Sequence, residues 1–288
     1  MRRSWWLILP IVLVAIYFGI NLYAERRVQK EVDNAIAEMS SFADVQYEDV
    51  DFDLFSRKAS IKGVVISPVG EERRLSIDRV VVLKAKGEKT FFTRLHILFM
   101  GVRVEGGEAG EKVAAFLDDL GYEPEEMKAD IELDYRFKPE EKDFRLKTLT
   151  YRVKNMGEIS LSFHLSNIDL RDDALSLLLS FPRILIHEAK LSYRDDSLVP
   201  RLLRAMAEKR GISVDSMIKE ITAEVERGIS EEGEQIAAEA LEAFRKFLED
   251  PEEISLIISP KNPLPLARIK RARDPAQLLR ILNFRIET

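Results

Sequence analysis

The 288-residue chain contains no cysteine and only three histidines. Without thiols there is no disulfide, thiolate zinc site, cysteine nucleophile or lipoprotein-type attachment through an N-terminal cysteine. The absence assigns no redox compartment, because a large core needs no disulfide staples in either environment. The familiar chemical signatures are also missing: there is no G-x-S-x-G, no P-loop and no G-x-G-x-x-G. Nor is there the basic excess of a nucleic-acid binder, since the net charge is −6. No internal repeat of the solenoid kind is present.

What is there is ample core material. The chain is 46% hydrophobic and 33% charged, which predicts a globular protein of one large domain or two small ones. The strongest single signal is "WWLILPIVLVAIYFGINLY", Trp5–Tyr23, a run of 19 residues without a charge. As a helix it would span about 28 Å, close to the hydrocarbon thickness of a bilayer. Trp5, Trp6 and Tyr23 stand where interfacial aromatic belts fall. The run predicts an uncleaved transmembrane anchor over 1–24 and a partnership with the bilayer. A cleaved signal peptide is the alternative, but "LYA" before Glu25 puts Leu22 where a small residue is wanted. Arg2 and Arg3 on one side nearly balance Arg26, Arg27 and Lys30 on the other, so charge alone leaves the orientation open.

From Glu25 to about Ser40, Val28, Val32, Ile36 and Met39 recur at helical spacing and predict an amphipathic helix within 25–42. The period then changes to two. Residues 43–196 read mainly as antiparallel strands, 197–253 as helices, and 254–288 as a strand, a short helix and a closing strand. "GEISLSFHLSNIDL" alternates strictly, with Ile159, Leu161, Phe163 and Leu165 on one face and Ser160, Ser162, His164 and Ser166 on the other. In "DFRLKTLTYRV" the pattern slips between Leu146 and Leu149, which predicts a bulge. A helical turn is expected near Asp173–Leu179, and helices at about 198–210, 214–229 and 234–249, with Gly211 ending the first. Segregated strands and helices argue an α+β fold, here with a large curved sheet of about ten strands.

Candidate sites are few. In "QYEDVDFDLFS", Asp49, Asp51 and Asp53 look like the start of a calcium loop, but Leu54 and Ser60 stand where that loop needs Gly and Glu. The period of two makes them the wet face of a strand whose other face carries Val50, Phe52 and Leu54. "HEAKL" at His187 lacks the second histidine of a zinc-protease motif, and on a strand it could not present an i, i+4 pair. A metal site would need His96, His164 and His187 to converge from separate strands. "FFTRLHILFMGVRV" is apolar on both faces, Phe91, Leu95, Ile97 and Phe99 against Phe92, Leu98 and Met100. Such a strand is buried on both sides or lines an apolar groove, and Phe92, Leu98 and Met100 are the groove candidates. From Thr222 to Glu253 there are eleven acidic and three basic residues, and from Lys261 to Arg285 seven basic and one acidic. Either these are two solvated surfaces, or Arg268, Lys270, Arg271 and Arg273 touch anionic headgroups or an acidic partner. No cofactor is indicated.

An anchor, an amphipathic helix, and then "VQYEDVDFDLFSRKASIKGVVIS" followed by "RLSIDRVVVLKAK" resemble the opening of AsmA-like bacterial envelope proteins. The resemblance covers roughly the first hundred residues. It implies an inner-membrane protein facing the periplasm that accommodates lipid along an apolar groove, and it carries no catalytic residues. Together these observations predict a non-enzymatic envelope protein holding lipid or another apolar ligand in its sheet. The alternative is a structural or assembly factor that docks a protein through its helical third.

Overall fold

The computed structural model describes residues 41–53, 58–87, 92–123, 127–168, 180–227, 234–271 and 275–288. The Trp5–Tyr23 run, the helix expected from Glu25 and the turn expected near Asp173–Leu179 lie outside them. Among the described residues no helix is long and apolar enough to cross a membrane.

The fold is α+β. Among the described residues twelve strands, against the about ten that the sequence predicts, run in the order β1-β3-β4-β5-β6-β7-β8-β9-β10-β12, with β2 beside β3 and β11 beside β9. The chain divides into two compact units. The first holds the described residues up to Lys86 together with Arg94–Glu132; the second holds Gly87–Thr93 and Leu133–Thr288.

The first unit contains β1 (Ala43–Gln46), β2 (Asp49–Asp53), β3 (Lys58–Pro68), β4 (Arg74–Gly87), most of β5 (Phe92–Glu105), helix α1 (Glu108–Asp119) and the start of β6 (Ala129–Lys138). Its core follows the period of two. Ala59 and Ile61 of β3, Val80 and Val82 of β4, and Leu95, Ile97 and Phe99 of β5 are all buried. Apart from Ala59, each such side chain contributes about 1.5–3 kcal/mol on burial. Along all three strands the buried phase then shifts by one residue: from Ile61 to Val64, from Val80 to Ile77, and from Phe99 to Val102. The shift falls on one row of Gly63, Asp78 and Gly101. Gly63 and Gly101 have φ of +60° and +67°, which L side chains rarely adopt. A Cβ on Gly101 would lie 2.1 Å from Asp78 Oδ2, and the Gly101 N–H donates to Asp130 Oδ1 at 2.8 Å. Glycine is therefore required where these strands exchange the face they bury.

The second unit is built on β7 (Asp143–Val153), β8 (Gly157–Ser166), β9 (Leu185–Asp195), β10 (Glu253–Ile258), β11 (Leu264–Pro265) and β12 (Arg285–Glu287). The ladders β7–β8, β8–β9, β9–β10, β9–β11 and β10–β12 are all antiparallel. The bulge expected in β7 falls between Leu146 and Leu149. The helical third forms α2 (Leu198–Arg210), α3 (Val214–Arg227) and α4 (Glu234–Glu249). Leu203, Ala207, Met217, Ile218 and Leu248 close a core of their own between these helices. Asp195 Oδ1 accepts the Val199 N–H at 2.9 Å and satisfies a free donor at the start of α2. Gly211 ends α2, with the Ile212 N–H returning to the Ala207 carbonyl. Two short helices, α5 (Leu266–Arg271) and α6 (Pro275–Ile281), complete the unit.

Candidate functional site

Register builds an apolar floor on one face of the second unit. Leu149 pairs with Leu161, Leu161 with Leu191, Leu191 with Leu256, and Leu256 with Ile286. Directly opposed residues share a sheet face, so one apolar row crosses β7, β8, β9, β10 and β12. A parallel row joins Tyr151, Ile159, Tyr193 and Ile254. At about 4.8 Å between neighbouring strands, the leucine row runs for roughly 19 Å.

Helices close this face at both ends and leave its middle open. On one side of the leucine row, Leu165, Ala189 and Ile258 pack with Leu266 and Ile269 of α5 and Leu278 and Ile281 of α6, around a core of Ile186, Leu264 and Leu282. On the other side, Phe247 of α4 and Tyr193 form a T-shaped contact, ring centres 6.0 Å apart. Between these covers Tyr151, Ile159, Leu191 and Leu256 keep 48%, 47%, 42% and 37% of their surface exposed. Ile159 has the inward phase of its strand, as the alternation predicts, yet nearly half of it is open. The low-dielectric surroundings push the Tyr151 phenol above its ordinary value.

The opposite face is polar. Ser192 and Ser255 are buried there and share a hydrogen bond of 2.9 Å. Glu158 binds Arg194 at 3.0 Å and Arg152 at 3.3 Å. Two of the three histidines also meet on this face. The β8–β9 register shifts between His164 and Leu165 and skips His187, so His187 and Glu188 stand against the single His164. This bulge brings the His187 ring onto that of His164, 4.1 Å between centres and 18° apart. Arg145 Nη2 donates to His164 Nδ1 at 3.2 Å, leaving Nε2 to donate to Asp143 Oδ2. Ser166 Oγ and His187 Nε2 are 2.7 Å apart. Burial, and next the neighbouring His164, hold the His187 imidazole below its ordinary value. Ser166 and His187 thus have the contact of a nucleophile and its base, but the carboxylate that would orient such a base sits on the other imidazole.

None of the sequence candidates belongs to the rows of this floor. Phe92 is buried and belongs to the second unit, whereas Leu98 and Met100 belong to the first, Leu98 half-buried and Met100 exposed. The alternation of β5 puts Leu98 and Met100 on the side of Arg94 and His96, and His96 Nε2 meets Glu132 Oε1 at 2.7 Å. Arg268 is exposed on α5; Lys270 and Arg271 lie on the same helix without described side chains, and Arg273 is outside the described residues. Asp49 and Asp51 are exposed and share Lys62, at 3.2 and 2.6 Å. Among the described residues no group of three or more His, Asp or Glu is placed to hold a metal ion. The floor escapes a reading of single strands, because its continuity depends on register across five of them.

The class defined here is an α+β protein with a large antiparallel sheet, one face of which is apolar and partly open. A family model described as "Uncharacterized protein" matches residues 150–288, from within β7 to the C-terminus. An "Uncharacterized protein" of Aquifex aeolicus (strain VF5) is 26% identical over 295 residues, covering 96% of each chain.

Proposed function

We propose that this protein is a non-enzymatic, single-pass envelope protein that holds a lipid acyl chain on the apolar floor of its second unit. The observation that carries the reading is the row Leu149–Leu161–Leu191–Leu256–Ile286, apolar throughout and open at Leu191 and Leu256. One leaflet's acyl chain spans about 15 Å, half of the hydrocarbon core, which matches a row of roughly 19 Å. Each fully buried methylene contributes about 0.8 kcal/mol, and contact on one side supplies part of that. The Trp5–Tyr23 run supports anchoring in the inner membrane, where lipid is at hand, and the AsmA-like opening supports a periplasmic domain. Arg268 on α5, the helix that closes one end of the floor, suits an anionic headgroup.

A photoactivatable fatty acid added to membranes containing the full chain tests this reading. Mass spectrometry should place crosslinks in peptides carrying Tyr151, Ile159, Leu191 or Leu256, and unlabelled fatty acid should compete them away. Crosslinks confined to Trp5–Tyr23 would leave an anchor with no lipid-holding floor. A reporter fused to the C-terminus should register the periplasmic side.

A further inference from the structure

The histidine pair lies directly behind the floor. His164 stands between Phe163 and Leu165 in β8; Phe163 pairs with Ala189 next to the leucine row, and Leu165 packs under α5 and α6. His187 is the bulge residue after Ile186, which belongs to the buried core at that end of the floor. The residues that flank the two rings are thus ones that form or close the floor.

One contact of the pair requires an unprotonated ring nitrogen. Arg145 can only donate, so its contact with His164 Nδ1 requires a lone pair there. A proton at that nitrogen breaks the contact and sets two cations against each other. A proton on His187 adds a positive charge beside the stacked His164 ring and near Arg145. The acidic groups acting on the pair are Asp143 of β7, already engaged with His164, and Glu188 of β9. Lys190, opposite Ser162, is the next charge along β9, and β11 pairs with β9 through the uncharged Leu264 and Pro265.

We propose that His164 and His187 form a proton-operated latch for the apolar floor, closed at neutral pH and opened by acid, so that a bound acyl chain is released on acidification. The latch rests on the lipid-holding reading for its purpose but not for its existence. The His187 value is depressed in the folded protein, so the unfolded chain binds the proton more tightly, and stability falls as pH drops below the ordinary histidine value of about 6.5.

The test uses the full chain in detergent, with carbon-13 histidine followed by NMR from about pH 8 to pH 5. With three histidines, single His→Gln variants assign every signal. The His187 signal should titrate below the ordinary value and move back toward it in His164→Gln. Between the same pH limits the melting temperature of His187→Gln should fall less than that of the wild type. An ordinary titration of His187, or equal falls in melting temperature, overturns the latch. Crosslinking of the photoactivatable fatty acid at both pH values separates the two ideas. Crosslinks that persist undiminished in acid overturn the latch alone. Their absence at neutral pH overturns the lipid reading, while the titration still decides whether the pair is acid-sensitive.

Discussion

Tyr151 and Ile159 face each other across β7 and β8 with nearly half of each side chain open, at 48% and 47%. On most sheets such a pair would lie under a helix or a second sheet, because leaving it wet forgoes about 25 cal/mol for every square ångström of apolar surface. Here α4 covers the neighbouring Tyr193 and α5 and α6 cover Ala189 and Ile258, and the stretch between is left open. The lipid-holding reading starts from that gap.

The face-exchange row of the first unit makes a sharp prediction. Gly101→Ala places an L side chain at φ +67° and drives its Cβ onto the Asp78 carboxylate, which also binds Lys128 at 2.8 Å. The left-handed conformation alone costs about 1–2 kcal/mol, and displacing Asp78 adds to it. Thermal unfolding followed by near-ultraviolet circular dichroism should show the loss. A melting temperature equal to that of the wild type would mean that the row tolerates a Cβ.

Behind the floor, Ser192 and Ser255 satisfy each other in a buried position. Ser192→Ala removes this bond but leaves the Ser255 hydroxyl its acceptor Glu253 Oε1 at 3.2 Å, so the cost is about 0.5–1.5 kcal/mol. The double change to alanine should cost less than the sum of the two single changes, measured by denaturant unfolding in a double-mutant cycle. Strict additivity would show that the hydroxyls are not coupled.

Asp49 and Asp51 already share one cation, Lys62, whose amine these two carboxylates hold above its ordinary value, Asp51 most strongly. Added calcium should therefore leave the melting temperature of the full chain unchanged, and Asp51→Asn should change it no more than an ordinary surface substitution. A rise in melting temperature with calcium that Asp51→Asn removes would restore the aspartates as a cation site.

How much of this could be read in advance follows from what a single strand can tell. Period two in "GEISLSFHLS" separates Ile159, Leu161 and Phe163 from Ser160, Ser162 and His164, and the structure keeps that separation. The slip between Leu146 and Leu149 is visible as a break in the pattern and is a register shift in the fold. The helical third is legible because Met217, Ile218 and Ile221 repeat at helical spacing and pack into one core. What covers a face is a different matter. Ile61 in "ASIK" and Ile159 in "EISLS" both alternate with polar residues, but Ile61 is buried and Ile159 half open, because cover comes from residues distant in sequence. The meeting of His164 and His187 is hidden for a similar reason. It depends on one skipped residue in β9, and "RILIHEAKLSY" contains no glycine or break to mark it.

The floor itself is tested most directly by Leu191→Lys in the full chain. The change puts an ammonium in the middle of the leucine row at a position already 42% exposed, so the sheet should keep its fold. Val214→Lys, at an exposed apolar position of α3 in the helical third, is the control. Crosslinking to the photoactivatable fatty acid within peptides of β7 to β10 should drop at least about tenfold in Leu191→Lys, equivalent to about 1.4 kcal/mol. It should be unchanged in Val214→Lys. Equal crosslinking in wild type and Leu191→Lys, with circular dichroism showing both folded, would contradict an acyl chain on this floor.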